Sequence, residues 1–194
     1  LIIGTMIQQI GLLIGGSTGN VIYLLGKAAA ALTSAGIGVG VAVKYGESPL
    51  VTVSAAVAAM VGGYAGKITG GTFFVDGNAV LAGPGEPLGA FIAAFAGITC
   101  GHLVSGKTKV DIIVTPVITI GAGSVVGLLV GPPISQMMTG LGSIINWATE
   151  QRPFIMGIVV SVVMGMVLTL PISSAALGII LNLSGLAAGA ATIG

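Results

Sequence analysis

Asp76, Asn78 and Glu86 lie in a stretch that no regular helix can hold, because Gly70, Gly71, Gly77, Gly83, Pro84 and Gly85 interrupt it between Ile68 and Pro87. Turn and breaker residues at this density exclude a lipid-facing helix. Carboxylates and an amide on irregular backbone can hydrogen-bond a polar solute where that backbone lines a cavity; the simpler reading is a solvated loop outside the membrane. A second place of this kind is Thr169-Leu170-Pro171-Ile172-Ser173-Ser174. Proline in the first turn of a helix, followed by hydroxyls, leaves backbone N–H groups and the positive dipole end facing whatever sits there. A proline kink or a helix start at the interface fits the same residues. The candidate substrate-binding set is therefore Asp76, Asn78, Glu86, Pro171, Ser173 and Ser174.

Other chemistry is poorly supported. His102 and Cys100 stand two positions apart with no orienting carboxylate in view, so neither a nucleophilic triad nor a zinc site of three or four ligands can be assembled. The sequence thus implies no catalytic residues, no metal and no cofactor. Gly101-His102-Leu103-Val104-Ser105-Gly106-Lys107-Thr108 matches the phosphate-binding loop pattern, which works only between a strand and a helix. Here an Ala/Gly-rich run of helical length precedes it and an apolar run follows, so it reads as a helix end with a polar turn and implies no nucleotide. The amides Gln8, Gln9, Asn20 and Asn182 fall within apolar runs, where such groups bind substrate or bond between helices. Glu150 and Arg152 read as an ion pair at an interface. Asn182-Leu183-Ser184 matches a glycosylation acceptor but is embedded in an apolar run.

The elements that must position these residues follow from composition. Of 194 residues, 55% are hydrophobic, 6% are charged and 34 are glycine, with a mean hydropathy of +1.13. So few charges cannot coat a soluble particle, and most of the surface must meet lipid or another apolar chain. A net charge of +1 without a basic cluster offers no footprint for nucleic acid, and the hydrophobicity excludes disorder.

A spanning helix needs about 20 apolar residues, so the charges divide the chain. Leu1 to Gly26 forms one expected span, Ala28 to Val43 a short second, and Ser48 to Gly66 a third closed by Lys67. Leu88 to Gly106 and Ile112 to Gly131 follow, separated by the turn Lys107-Thr108-Lys109-Val110-Asp111. Pro132-Pro133 is expected to break the chain, making Ile134 to Trp147 a separate interfacial or re-entrant helix. Phe154 to Leu170 and Ile172 to Gly194 complete an all-α, polytopic bundle of about six or seven spans, read as a single membrane domain over residues 1–194. The absence of an initial methionine suggests a piece of a longer protein. Lysines and arginine divide evenly between the two faces, and the Lys107/Lys109 turn is assigned to the cytoplasm. Glycines recur at a spacing of four (Gly11/Gly15, Gly36/Gly40, Gly62/Gly66, Gly97/Gly101, Gly123/Gly127, Gly127/Gly131, Gly185/Gly189), which predicts close helix packing.

Gly127-Leu128-Leu129-Val130-Gly131-Pro132-Pro133-Ile134, then Ile145-Asn146-Trp147 with Gln151-Arg152-Pro153, then Leu170-Pro171-Ile172-Ser173-Ser174-Ala175-Ala176 and Leu183-Ser184-Gly185-Leu186-Ala187-Ala188-Gly189-Ala190-Ala191 resemble the bacterial phosphotransferase-system IIC-like membrane proteins, in the branch labelled perfringolysin-regulator-like. The likeness runs over most of the chain. It implies a sugar-permease-type domain of the bacterial inner membrane, multi-pass and homodimeric, with a small polar solute and the lipid bilayer as partners. The short Gly/Asn-Ile/Pro-Thr-Glu stretch of better-known sugar IIC permeases finds no match here. Three functions follow as expectations: a permease moving a sugar-like solute by alternating access, a membrane-embedded regulator that binds a ligand without flux, or a structural subunit.

Overall fold

The computed structural model describes residues 2–75, 78–80, 83, 85–150, 158, 161, 162, 165 and 166. Its contacts divide the chain into two compact units, residues 1–133 and 134–194. In the first unit the described residues are helical apart from one small hairpin and the turns and loops that join the elements.

Helices α1 (Ile2–Ile14) and α2 (Gly16–Ala31) form an antiparallel pair. The sequence predicted one span here; the chain instead reverses at Gly15 and Gly16, which both take positive φ (66° and 65°). Two adjacent residues in the left-handed region need glycine, since each side chain there would be strained. The two backbones then touch through glycines spaced by seven, Gly4 and Gly11 on α1 against Gly19 and Gly26 on α2. A Cβ on Gly11 would sit 2.5 Å from the Tyr23 nitrogen, and one on Gly26 would sit 2.6 Å from the Gln8 nitrogen. Of the predicted pair Gly11/Gly15, only Gly11 packs; Gly15 makes the turn.

After a bend of 44°, α2 continues as α3 (Thr33–Lys44). Helix α3, α4 (Pro49–Gly63) and α6 (Pro87–Val104) enclose the core of this unit, an alanine-rich cluster of Ala42, Val51, Ala55, Ala59, Ala90, Ala94 and Ile98. Small side chains let the helix axes come close, so dispersion contacts replace the hydrophobic drive that lipid cannot supply. Ser48 starts α4, its hydroxyl accepting from the Val51 N–H at 3.4 Å with Pro49 in the first turn, a standard N-cap. The short α5 (Ala65–Thr69) and the hairpin β1 (Phe74–Val75) and β2 (Asn78–Ala79), paired antiparallel with Phe74 opposite Ala79, connect α4 to α6.

Helix α7 (Asp111–Glu150) carries Pro116, Pro132 and Pro133 within it. Two expectations are corrected here: Pro132-Pro133 does not end the helix, and Ile134 to Trp147 is its continuation rather than a separate interfacial or re-entrant element. Proline removes two backbone donors without imposing a stop, and tight packing on the preceding turns holds the helical path. That packing is seen at Gly127 and Gly131, where a Cβ would lie 2.9 Å from Gly62 Cα and 2.4 Å from Ala65 Cβ. The division between the two units nevertheless falls at Pro133. Gly97, Gly101, Gly123, Gly127 and Gly131 all pack closely as predicted, whereas Gly36 and Gly40 face open space.

Among the described residues, α6 and α7 are long and apolar enough to cross a membrane, and the bent pair α2–α3 makes a third crossing if it counts as one span. Phe154 to Leu170, Ile172 to Gly194 and the Gly185/Gly189 pair fall outside the described residues, except for the few positions named above.

Candidate solute site at the start of helix α6

The segment between α4 and α6 folds back over the helix ends. Helix α5 closes with Gly71 and Thr72 donating to the carbonyls of Ile68 (3.2 Å) and Lys67 (3.0 Å), which satisfies two of its orphan acceptors. Phe73 then packs its ring 5.6 Å from that of Tyr64 and 4.9 Å, edge-on, from that of Phe74. The Val80 N–H returns to the Phe73 carbonyl at 2.7 Å.

Three contacts lock the return path onto the core. The Tyr64 hydroxyl donates to the Gly83 carbonyl and lies 3.3 Å from that of Ala31. Gly85 takes φ 73°; a Cβ there would lie 2.6 Å from the hydroxyl of buried Ser34 and 3.0 Å from the Gly63 oxygen, so both conformation and space demand glycine. The Glu86 N–H donates to the Gly63 carbonyl at 2.7 Å. Pro87 then begins α6, with Glu86 at its N-cap but making no side-chain cap bond.

Glu86 is thereby fixed with its carboxyl against the helix ends. Oε2 is buried and has no hydrogen-bond partner among the described residues. A buried carboxylate without partners is costly, so the acid form is favoured. Burial raises this carboxyl to about 7, and the charge of Lys67 pulls the other way. Burial in turn lowers the Lys67 ammonium, with Glu86 opposing. That ammonium stands 5.3 Å above the Tyr64 ring, within cation–π range. A carboxyl poised between its two forms, an ammonium and an aromatic face thus gather at the positive end of the α6 dipole. Such a group can accept a hydrogen bond from a hydroxyl or exchange a proton near neutrality.

Of the six residues predicted for the site, Glu86 lies at the start of α6 with a carboxyl oxygen buried and Asn78 is exposed on β2. Asp76, Pro171, Ser173 and Ser174 lie outside the described residues. Tyr64, Lys67 and Ser34 join Glu86 without having been anticipated. Lys67 was read only as the end of a span; its position three residues after a tyrosine that follows Gly62-Gly63 was the signal available.

The pattern from Gly101 to Thr108 is a helix end and turn, as expected: Gly101–Val104 close α6 and Gly106 takes φ 74° in the connection to α7. His102 is bound instead to Glu47, with Nδ1 at 2.9 and 3.2 Å from the two carboxylate oxygens. Among the described residues, no three His, Cys, Asp or Glu side chains gather for a metal.

Apolar helices joined through glycine and alanine, with one irregular segment delivering a buried carboxyl to the start of a spanning helix, define a helical membrane protein. The chain belongs to the phosphotransferase system EIIC family, whose model matches residues 1–194. No curated protein and no solved structure matches it.

Proposed function

We propose that this protein is the membrane permease component of a bacterial sugar phosphotransferase system. In this reading it sits in the inner membrane as a multi-pass homodimer and moves a small polar solute, a sugar, by alternating access. The observation that carries the reading is the buried Glu86 oxygen without a partner among the described residues, beside Lys67 and Tyr64 at the start of α6. A buried acceptor oxygen at a helix end suits a ligand hydroxyl, because bonding it offsets the desolvation penalty. Asp76 and Asn78, on the same connecting segment, are proposed to share in this site, and Pro171, Ser173 and Ser174 are proposed as further solute-binding residues.

The test is uptake of labelled, unphosphorylated hexoses, pentoses and polyols by proteoliposomes containing the full chain. A hydrogen bond to a charged group contributes about 1.5–3 kcal/mol, so Glu86→Gln should lower uptake of the transported sugar by about ten- to a hundredfold, and Ser173→Ala with Ser174→Ala by less. Uptake unchanged in Glu86→Gln removes Glu86 from the site. Sugar-induced thermal stabilisation without flux replaces the permease by a ligand-binding regulator.

A further inference from the structure

The opposite end of the same helices carries a second recess that the reading above does not use. A cleft of about 270 Å³ opens between the α3–α4 turn and the last turns of α6, lined by Tyr45, Glu47, Phe95, Thr99, His102 and Leu103 among others. Tyr45 and Phe95 pair at 6.0 Å, and Phe95 stacks on Phe91 at 6.3 Å; all three rings are exposed. On α6 the positions 91, 95, 99 and 102 share one face. At 1.5 Å per residue this stripe runs roughly 16 Å from the helix end inward, about half of a 30 Å hydrocarbon core. One leaflet's acyl chain has that length.

The charged groups sit at the outer end of the stripe. Glu47 is almost wholly covered and bonded to His102, whose ring is 71% exposed. The Asp111 carboxylate is engaged by the Gly106 N–H (2.9 Å) and the Thr115 hydroxyl (2.6 Å). Lys44 at the end of α3, and Lys107 and Lys109 in the α6–α7 turn, are exposed at the same end. At this end of the helices Lys44, Lys107 and Lys109 outnumber the acids Glu47 and Asp111, and of these five the lysines are the exposed ones.

We propose that this cleft is a binding site for an anionic phospholipid, its phosphate among Lys44, Lys107 and Lys109 at the helix ends and one acyl chain along Phe95 and Phe91. Charge complementarity selects the headgroup, and the length of the stripe selects a chain rather than a free ion.

The test uses the full chain in nanodiscs of phosphatidylcholine or of phosphatidylglycerol, read by thermal unfolding and by native mass spectrometry. Phosphatidylglycerol should raise Tm by about 2–4 °C and leave tightly retained lipid. Lys44→Gln with Lys107→Gln, both at exposed positions, should remove the lipid preference while Tm in phosphatidylcholine stays unchanged. Phe95→Ala should remove retention in the mass spectrometer. Equal Tm in the two lipids, or a preference that survives both variants, overturns the proposal. So does inorganic phosphate reproducing the shift in phosphatidylcholine, since an ion site needs no chain.

Discussion

Glu47 and Glu86 occupy opposite ends of the same three helices, and the protein treats their carboxyls differently. Glu47 follows α3, where its N–H closes the helix on the Ala42 carbonyl at 3.1 Å, and its side chain, 7% exposed, takes His102 as a partner. Beside it the Ser48 and Ser105 hydroxyls pair at 3.0 Å, so this end is stitched between α4 and α6. Glu86 has its backbone pinned just as firmly, yet one carboxyl oxygen is buried and unmatched among the described residues. Burial of the same chemical group thus gives a clasp with His102 at Glu47 and a carboxyl held toward its acid form at Glu86.

Packing offers the strongest way to break the contrast. A Cβ on Gly62 would lie 2.4 Å from Ala93 Cβ and 2.5 Å from the Gly89 oxygen, so a side chain must force α4 and α6 apart beneath Glu86. Gly62→Leu is expected to cost about 3 kcal/mol, measured by reversible unfolding in mixed micelles. Gly40, on α3 toward the Glu47 end, faces open space; Gly40→Ala should be neutral or stabilising by up to about 1 kcal/mol. Equal losses at the two positions would end the claim that close approach is concentrated at the Gly62–Gly89 crossing.

Next comes the clasp. His102→Ala strips Glu47 of its partner and should cost about 1–3 kcal/mol, the penalty of an unmatched buried carboxylate. Glu47→Gln in that background should recover most of the loss. If the double variant is no more stable than His102→Ala, the pair is not a coupled unit.

The pH dependence of stability separates the two carboxyls more finely. Glu86 holds its proton more tightly folded than unfolded, its carboxyl standing at about 7 against an ordinary 4.5. Stability is therefore fully present below pH 4.5, declines as pH rises toward 7, and is flat above that. Discounted for partial exposure, the decline is on the order of 1–2 kcal/mol. Glu86→Gln should abolish it and leave the protein more stable than its parent at pH 8. A slope that persists in Glu86→Gln assigns the titration to another group.

The sequence displayed Glu86 because its surroundings, from Gly70 to Gly85, cannot be helical and are local in the chain. It hid Glu47 and His102, which meet across 55 residues with nothing nearby to announce the pairing. Glycine periodicity was legible where four-residue spacing governs, at Gly97/Gly101 and Gly123/Gly127. Spacing by seven in α1 and α2, the mark of an antiparallel pair with touching backbones, passed unseen among so many glycines, and with it the reversal at Gly15-Gly16. The prolines of α7 misled for a different reason: the rule that they end helices comes from chains where water can take the freed carbonyls, whereas packing within a membrane keeps the helix continuous.

The smallest effect tests the stitching itself. Ser48 does two things with one oxygen, accepting from the Val51 N–H at the start of α4 and pairing with Ser105 across 57 residues. Ser105→Ala removes only the crossing bond, at about 0.5 kcal/mol. Ser48→Ala removes the helix cap as well, at about 1 kcal/mol. The 3.4 Å cap bond is long, so the difference between the two variants measures whether it contributes. Equal losses would mean that α4 is started by Pro49 and its packing alone, with Ser48 serving only the clasp.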